Sequence, residues 1–283
     1  MKLAIIGGSG LYALGAGDAT EHKVTTSFGA PSGPVTSTRV GDAEVLFLSR
    51  HGAGHRYSPT EINYRANIAA LRQLGATHVV SVSAVGSMRE EIAPGDLVVV
   101  DQYIDLTKRR ASTFFEGGVA AHVAFSDPVC PHLARAVAEA ALEASGARVH
   151  TGGTYVCMEG PQFSTRAESL VYRAWGVSVL GMTAMPEAKL AREAELPYAT
   201  LALATDYDCW HEGHGPVDVQ AVVAVMAKNV EAARRTLLAL AARLPDPTAS
   251  PAHRALDGAI MTSMDAVPAE TARRLAFLRP FST

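Results

Sequence analysis

Hydrophobic positions along this chain fall into two alternating periods. Short apolar runs closed by glycine or a polar cluster read as strands at residues 2–6, 78–82, 96–100, 153–157, 177–180 and 198–204. Residues 35–40 and 44–49 flank Gly41-Asp42, the turn signal of a hairpin. Between these runs the period lengthens to that of a helix. Residues 59–74 place Ile62, Ala66, Ala69 and Ala70 on one face, and an alanine-rich amphipathic stretch at 131–145 stops at Gly146. Further helices are predicted at residues 166–175, 186–195 and 217–244. Strands alternate with helices but hairpins interrupt the alternation, which predicts a single α/β domain: a mixed, twisted sheet surrounded by helices.

No internal repeat or linker is visible before residue 244. Pro245-Asp246-Pro247-Thr248-Ala249-Ser250-Pro251 has the composition of a linker. The expected organisation is therefore a domain over residues 1–244. Residues 245–283 add a linker and a short helix at about 269–278, packing on the body or on a neighbouring subunit.

Composition narrows the classes. The chain has 283 residues, 48% apolar and 19% charged, enough to bury a substantial core. A net charge of −3 gives no electrostatic basis for nucleic acid or an anionic membrane as partner, so any bound anion needs a local constellation of donors. The first apolar run meets glycine too soon for a secretory signal, and no run approaches the roughly 20 residues of a spanning helix. Cys130, Cys157 and Cys209 are far apart and lack CxxC spacing, which argues against a disulfide framework or a thiolate metal site. A cytoplasmic, reduced protein is expected.

Four places carry candidate chemistry. Gly8-Ser9-Gly10-Leu11-Tyr12-Ala13 fits the relaxed dinucleotide fingerprint, but the polar, turn-rich sequence and the hairpin that follow do not make the required βαβ unit. That leaves a tight turn, or a nest in which backbone amides and the Ser9 hydroxyl cradle one oxyanion. Ser49-Arg50-His51-Gly52 ends a strand, where the planar fork of Arg50 suits phosphate unless it is only a solvated rim. His51 and His55 are four apart with glycines between them and no HExxH, so zinc is not expected. Ser83-Ala84-Val85-Gly86-Ser87 reads as a strand end and tight turn, or as a third contribution to the same anion, since ligands collect at the carboxyl ends of such strands. Thr205-Asp206-Tyr207-Asp208 closes another strand. Period-2 geometry puts both carboxylates on one side, as a cap, a rim, a metal clamp or a pair able to hand a proton to a leaving group.

Gly7-Gly8-Ser9-Gly10 and Ser49-Arg50-His51-Gly52, together with three longer runs, resemble the trimeric purine nucleoside phosphorylases. The runs are Glu159-Gly160-Pro161-Gln162-Phe163-Ser164-Thr165-Arg166-Ala167-Glu168, Gly181-Met182-Thr183-Ala184-Met185-Pro186-Glu187, and Ala204-Thr205-Asp206-Tyr207-Asp208-Cys209-Trp210. The similarity extends in order from Lys2 to Leu244. It implies the nucleoside phosphorylase fold and phosphorolysis of a purine nucleoside, with 5′-methylthioadenosine favoured, inorganic phosphate as co-substrate and no metal or organic cofactor. Enzymes of the same class acting on 6-oxopurine nucleosides are the alternative, and a non-catalytic nucleoside-binding protein is a more distant one. The resemblance places Ser9, Arg50, His51, Ser83, Ala84 and Thr183 at phosphate and Met182 under the ribose. Phe163 and Ser164 would line the purine, with Asp206 and Asp208 facing its N7 and 6-amino group as the catalytic pair. His55, Pro59, Val219, Val222 and Val223 would form the 5′ pocket, and His122 would come from a neighbour in a homotrimer. Gly181 stands where some relatives carry Asn, which takes a side chain away from the ribose.

Overall fold

The computed structural model describes residues 1–8, 19–212 and 219–282. The chain opens with β1 (Lys2–Gly7), an outlying β2 (Thr20–His22), and the predicted hairpin of β3 (Val35–Val40) and β4 (Ala43–Ser49). Helix α1 (Tyr64–Gln73) leads to β5 (His78–Ser87), β6 (Leu97–Val100) and β7 (Gln102–Asp105). After α2 (Pro131–Ala144) come β8 (Val149–Thr151), β9 (Thr154–Cys157), α3 (Arg166–Ala174) and β10 (Val179–Gly181). Helix α4 (Glu187–Glu193), β11 (Tyr198–Asp206), α5 (Val219–Ala241) and α6 (Ala269–Arg274) complete it.

The strands of the described residues form one mixed sheet that branches at β5. One path runs β2-β3-β4-β1-β5-β10-β9-β7, while β11 also pairs with β5 and continues the sheet to β6 and β8. β1 lies parallel to both β4 and β5, with Ile5 opposite Phe47 and Val80, so these strands point the same way. Both sheet faces are covered, and this explains the unbroken apolar runs of β1, β5 and β11. One face packs Ile6, Leu48, Ile68 and Leu190, from strands and from α1 and α4. The other packs Ile5, Leu133, Leu201 and Leu237, where α2 and α5 lie.

Three elements depart from expectation. Residues 59–63 turn instead of opening the helix, because Asn63 is the N-cap and accepts from the Ala66 amide at 3.1 Å. β5 does not end at Val82 but runs to Ser87, paired with β11 through Gly86 and then antiparallel to β10. No tight turn forms at Ser83-Ala84. The short strands β2, β7 and β8 escape a reading by apolar runs, since half or more of their residues are polar or exposed.

Residues 245–282 do not hang free. Leu256, Leu275, Leu278 and Phe281 are buried in the same cluster as Ile6 and Ile68. Arg279 pairs with Glu195 at 2.6 Å and with Asp257 at 2.5 Å, and Phe277 stacks edge-on against Phe114 at 5.1 Å. The segment is a strap on the body of its own chain. No helix among the described residues is long and apolar enough to cross a membrane.

Candidate active site

β1, β4 and β11 deliver their carboxyl ends to one region, and β5 passes across it. A cleft of about 1020 Å³ opens there, the size of a small-molecule site. Arg50, His51, Ser83, Ala84 and Thr183 all line it, together with Gly8, the last described residue before the glycine turn. Ser9 lies outside the described residues.

Arg50 lines the cleft but spends most of its donors elsewhere. Its guanidinium is 2% exposed, and the fork expected to face an anion grips Glu187 instead, with Nε–Oε2 at 2.9 Å and Nη2–Oε1 at 3.1 Å. Nη2 also donates to the Ile6 carbonyl at 3.0 Å and the Ser81 hydroxyl at 2.7 Å, and Nη1 to the Val82 carbonyl at 2.9 Å. Only one Nη1 proton is left for the cleft among the described residues. Burial opposes the charge, but Glu187 outweighs it and keeps Arg50 cationic well above the usual range. Arg50 thus ties β1, β4 and β5 to α4 and keeps one N–H on the cleft side.

His51 is neutral. Burial pushes its pKa down to about 4, against a hydrogen bond to the Tyr57 carbonyl. Nδ1 lies 2.9 Å from that carbonyl, which can only accept, so Nδ1 carries the proton and Nε2 is left as an acceptor. The ring stacks on His55 at 4.0 Å, which rigidifies both.

Ser83 and Thr183 meet across the floor, with their hydroxyl oxygens 3.2 Å apart. A third hydroxyl, that of Tyr155, lies 3.3 Å from Ser83 Oγ and was not legible from any motif. Gly181 makes room for it: a Cβ there would collide with the Tyr155 oxygen. The side chain missing at 181 is therefore replaced in space by a phenol from the neighbouring strand.

Asp206 and Asp208 both line the cleft, but not by strand periodicity. Asp206 ends β11, whereas Asp208 opens a short 3-10 turn with φ 52°. The Asp208 amide donates to Asp206 Oδ1 at 2.8 Å, and the Thr205 hydroxyl donates to Oδ2 at 2.7 Å. Gly86 lets the pair approach β5, since a Cβ there would lie 3.0 Å from Asp206 Oδ1. Burial raises the pKa of both carboxyls more than their hydrogen bonds lower it. Asp208 Oδ2 is buried, and the Ser169 and Ser164 hydroxyls beside this carboxyl oppose the rise without cancelling it.

The apolar side is built from Met158, Phe163, Ser164, Leu180 and Met182 on one wall and Val222, Val223, Met226 and Val230 of α5 on the other. His55 and Pro59 close one end. Met158, Leu180, Met226 and Val230 carry no motif and read from sequence only as core. The Val219 side chain lies outside the described residues. His122 does not line the cleft of its own chain; its amide donates to the Ala259 carbonyl at 2.8 Å, within the strap contact.

A buried clamp holds the two loops of the apolar side together. Arg110 donates to the carbonyls of Met182, Met185 and Glu159, each at 2.6 Å, and to Glu159 Oε1 at 3.3 Å. The Glu159 carboxyl stays ionised, its pKa held down at about 2 by Thr60, the Lys108 and Arg109 amides and Arg110 against partial burial. The EGPxFSTRAE run is therefore fixed at its first residue to the backbone beneath the cleft. Its last part starts α3, where Thr165 and Glu168 form a capping box.

A hydroxyl floor at converging strand ends, beside an apolar slot edged by two protonatable carboxyls, defines a small-molecule site of the nucleoside-cleaving type. The chain belongs to the phosphorylase superfamily, whose family model matches residues 2–242. It is 54% identical over 275 residues, 96% of each chain, to S-methyl-5′-thioadenosine phosphorylase of Geobacter sulfurreducens. In three dimensions it is similar to a methylthioadenosine phosphorylase from an Antarctic soil metagenomic library, with TM-score 0.92, 46% identity and 98% of each chain covered. It is also similar to methylthioadenosine phosphorylase from Schistosoma mansoni in complex with adenine, with TM-score 0.86, 36% identity, and 93% of this chain and 99% of that one covered.

Proposed function

We propose that this chain is a pentosyltransferase that cleaves 5′-methylthioadenosine with inorganic phosphate, releasing adenine and 5-methylthioribose 1-phosphate. The observation that carries the reading is the Asp206/Asp208 pair: two carboxyls with raised pKa, the first half-buried and the second buried, at the polar edge of an apolar slot. Identity to methylthioadenosine phosphorylases over nearly the full length supports it.

In this scheme a phosphate oxygen forms a bond to C1′ as the C1′–N9 bond breaks. The bond's electron pair leaves with the purine, and Asp206 supplies a proton to N7. Phosphate beside the cationic sugar adds an electrostatic attraction that grows toward the transition state. The Ser83 and Thr183 hydroxyls, the Ala84 backbone and the spare Arg50 N–H hold the anion, and His51 Nε2 accepts from a protonated phosphate oxygen. Met182 packs under the ribose, while Phe163 and Ser164 face the base. Val222 and Val223 with His55 and Pro59 take the 5′ group, each buried methyl-sized unit adding about 0.8 kcal/mol. No metal or organic cofactor enters the scheme.

The base assignment follows from Asp208. An ionised Asp208 carboxylate accepts from a 6-amino group, whereas a neutral carboxyl donates to a 6-oxo group, so methylthioinosine is the informative competitor. Assayed by release of free base, methylthioadenosine turns over only when phosphate is present, and faster than methylthioinosine. Base release without phosphate would refute phosphorolysis, and equal turnover of methylthioinosine would refute the adenine preference.

The functional unit in this reading is a homotrimer with sites at subunit boundaries. Phe163 is 47% and Val223 60% exposed in the single chain although both line the cleft, and a neighbouring subunit bringing His122 would cover such a rim. Light scattering coupled to size exclusion should give three times the 29.8 kDa chain mass. A fully active monomer would rule out a shared site.

A further inference from the structure

Three hydroxyls meet at the floor of the cleft, and the innermost belongs to a residue that no motif marks. Tyr155 is fully buried in β9, between the edge of the Tyr103 ring at 5.9 Å and the backbone of Gly181. Its hydroxyl lies 3.3 Å from Ser83 Oγ, and Ser83 Oγ lies 3.2 Å from Thr183 Oγ1. The Thr183 backbone lies close to the same phenol. Each hydroxyl has one proton to give, so a row of them whose protons run inward, from Thr183 to Ser83 to Tyr155, offers none to an anion. The arrangement avoids this only if a donor enters from behind.

We propose that Tyr155 is a positioning residue that polarises the floor for phosphate: its proton goes to Ser83 Oγ, which frees the Ser83 and Thr183 protons to point into the cleft. Burial pushes the phenol up to about 12, so it remains a donor throughout the neutral range. Gly181 is part of the device, because any side chain there would displace the hydroxyl. Ser83 can otherwise spend its proton on the Ala84 carbonyl at 3.3 Å, a contact that an unpolarised floor would favour. This inference rests on the reading of the cleft as a phosphate-dependent site.

Tyr155→Phe keeps the ring and removes only the oxygen. Phosphate is varied at saturating methylthioadenosine, and then methylthioadenosine at saturating phosphate. The variant should raise the KM for phosphate roughly five- to thirtyfold, the scale of one or two lost polar contacts to an anion, with the nucleoside KM changed by less than about twofold. The rise in melting temperature that phosphate gives the wild type should shrink in the variant. Gly181→Ala, which pushes the hydroxyl off its place without removing it, should shift the phosphate KM in the same direction. An unchanged phosphate KM in Tyr155→Phe, or equal rises in both KM values, overturns the proposal while leaving phosphorolysis intact. A wild type that releases adenine without phosphate overturns both.

Discussion

Asp206→Asn should lose turnover of methylthioadenosine by about a hundredfold to ten-thousandfold, the range expected when a positioned general acid is removed. The substitution is close to isosteric and its local bonds can be kept. The carbonyl oxygen of the new carboxamide would accept from the Asp208 amide, and the Thr205 hydroxyl can turn fully to the Val85 carbonyl, 3.2 Å away. A carboxamide can still donate a hydrogen bond to N7 but cannot transfer a proton, so kcat falls more than the nucleoside KM rises. The pH behaviour follows from the sign of the shift. Burial raises the Asp206 pKa, so the working protonated form persists further toward neutrality than for an exposed aspartate, and kcat declines as pH rises through that raised value. The same sign governs stability. A carboxyl whose folded pKa is raised contributes stability fully below its unfolded value and loses it as pH rises through the folded one. At pH 8 Asp206→Asn should therefore melt at or above the wild-type temperature although it is nearly inactive. An unchanged kcat would remove Asp206 from the chemistry, and a lower melting temperature would show that the carboxylate is satisfied in the fold.

Much of this was legible before any coordinate. The alternation of apolar runs gives the sheet and most of its helices because both sheet faces are buried, so strand and helix signals stay unmixed in β1, β11 and α2. The motif runs converge because a parallel sheet collects its carboxyl ends at one edge. What sequence does not show is which distant groups each of these residues meets. Arg50 in Ser-Arg-His-Gly looks like a phosphate fork, but its partner Glu187 is 137 residues away and no local pattern announces it. Ser83 and Ala84 look like a turn because small residues are common to turns and to strands crossed by a ligand or another backbone. Asp206 and Asp208 share a side for a reason other than pleat, namely the left-handed backbone at Asp208. Met226 and Val230, which line the cleft, and Tyr155 and Arg110, which lie behind it, read as ordinary core or surface residues because only tertiary packing brings them there. The strap at 245–282 reads as an appendage because its proline-rich start resembles a linker. Its anchors, Leu256, Leu275, Leu278 and Phe281, are too sparse to make a periodic signal.

The largest effect on stability is expected at Glu187 rather than at any residue of the catalytic pair. Its carboxylate is wholly buried and takes both Arg50 contacts and the Tyr198 hydroxyl at 3.0 Å. Glu187→Ala leaves the Arg50 charge with carbonyl and hydroxyl partners only, in a place water does not reach. Breaking a buried ion pair in this way costs about 3–5 kcal/mol, which for a chain of this size lowers the melting temperature by roughly 10 °C. Thermal unfolding checks it, and a shift under about 2 °C, less than 1 kcal/mol is expected to give, would mean that Arg50 finds another partner or water. Removing both charges separates the two tasks of Arg50. Arg50→Met with Glu187→Leu fills the space without charge, and should recover part of the lost stability: neither ion then needs desolvation, but the Ile6 and Val82 carbonyls and the Tyr198 hydroxyl each lose a partner. It should not recover activity at low phosphate, since the spare Nη1 proton on the cleft side is gone. A double variant that is both stable and wild-type in phosphate KM would show that Arg50 only ties β1, β4 and β5 to α4. One that is stable but weak for phosphate would show that the buried pair is retained to hold a single N–H at the anion.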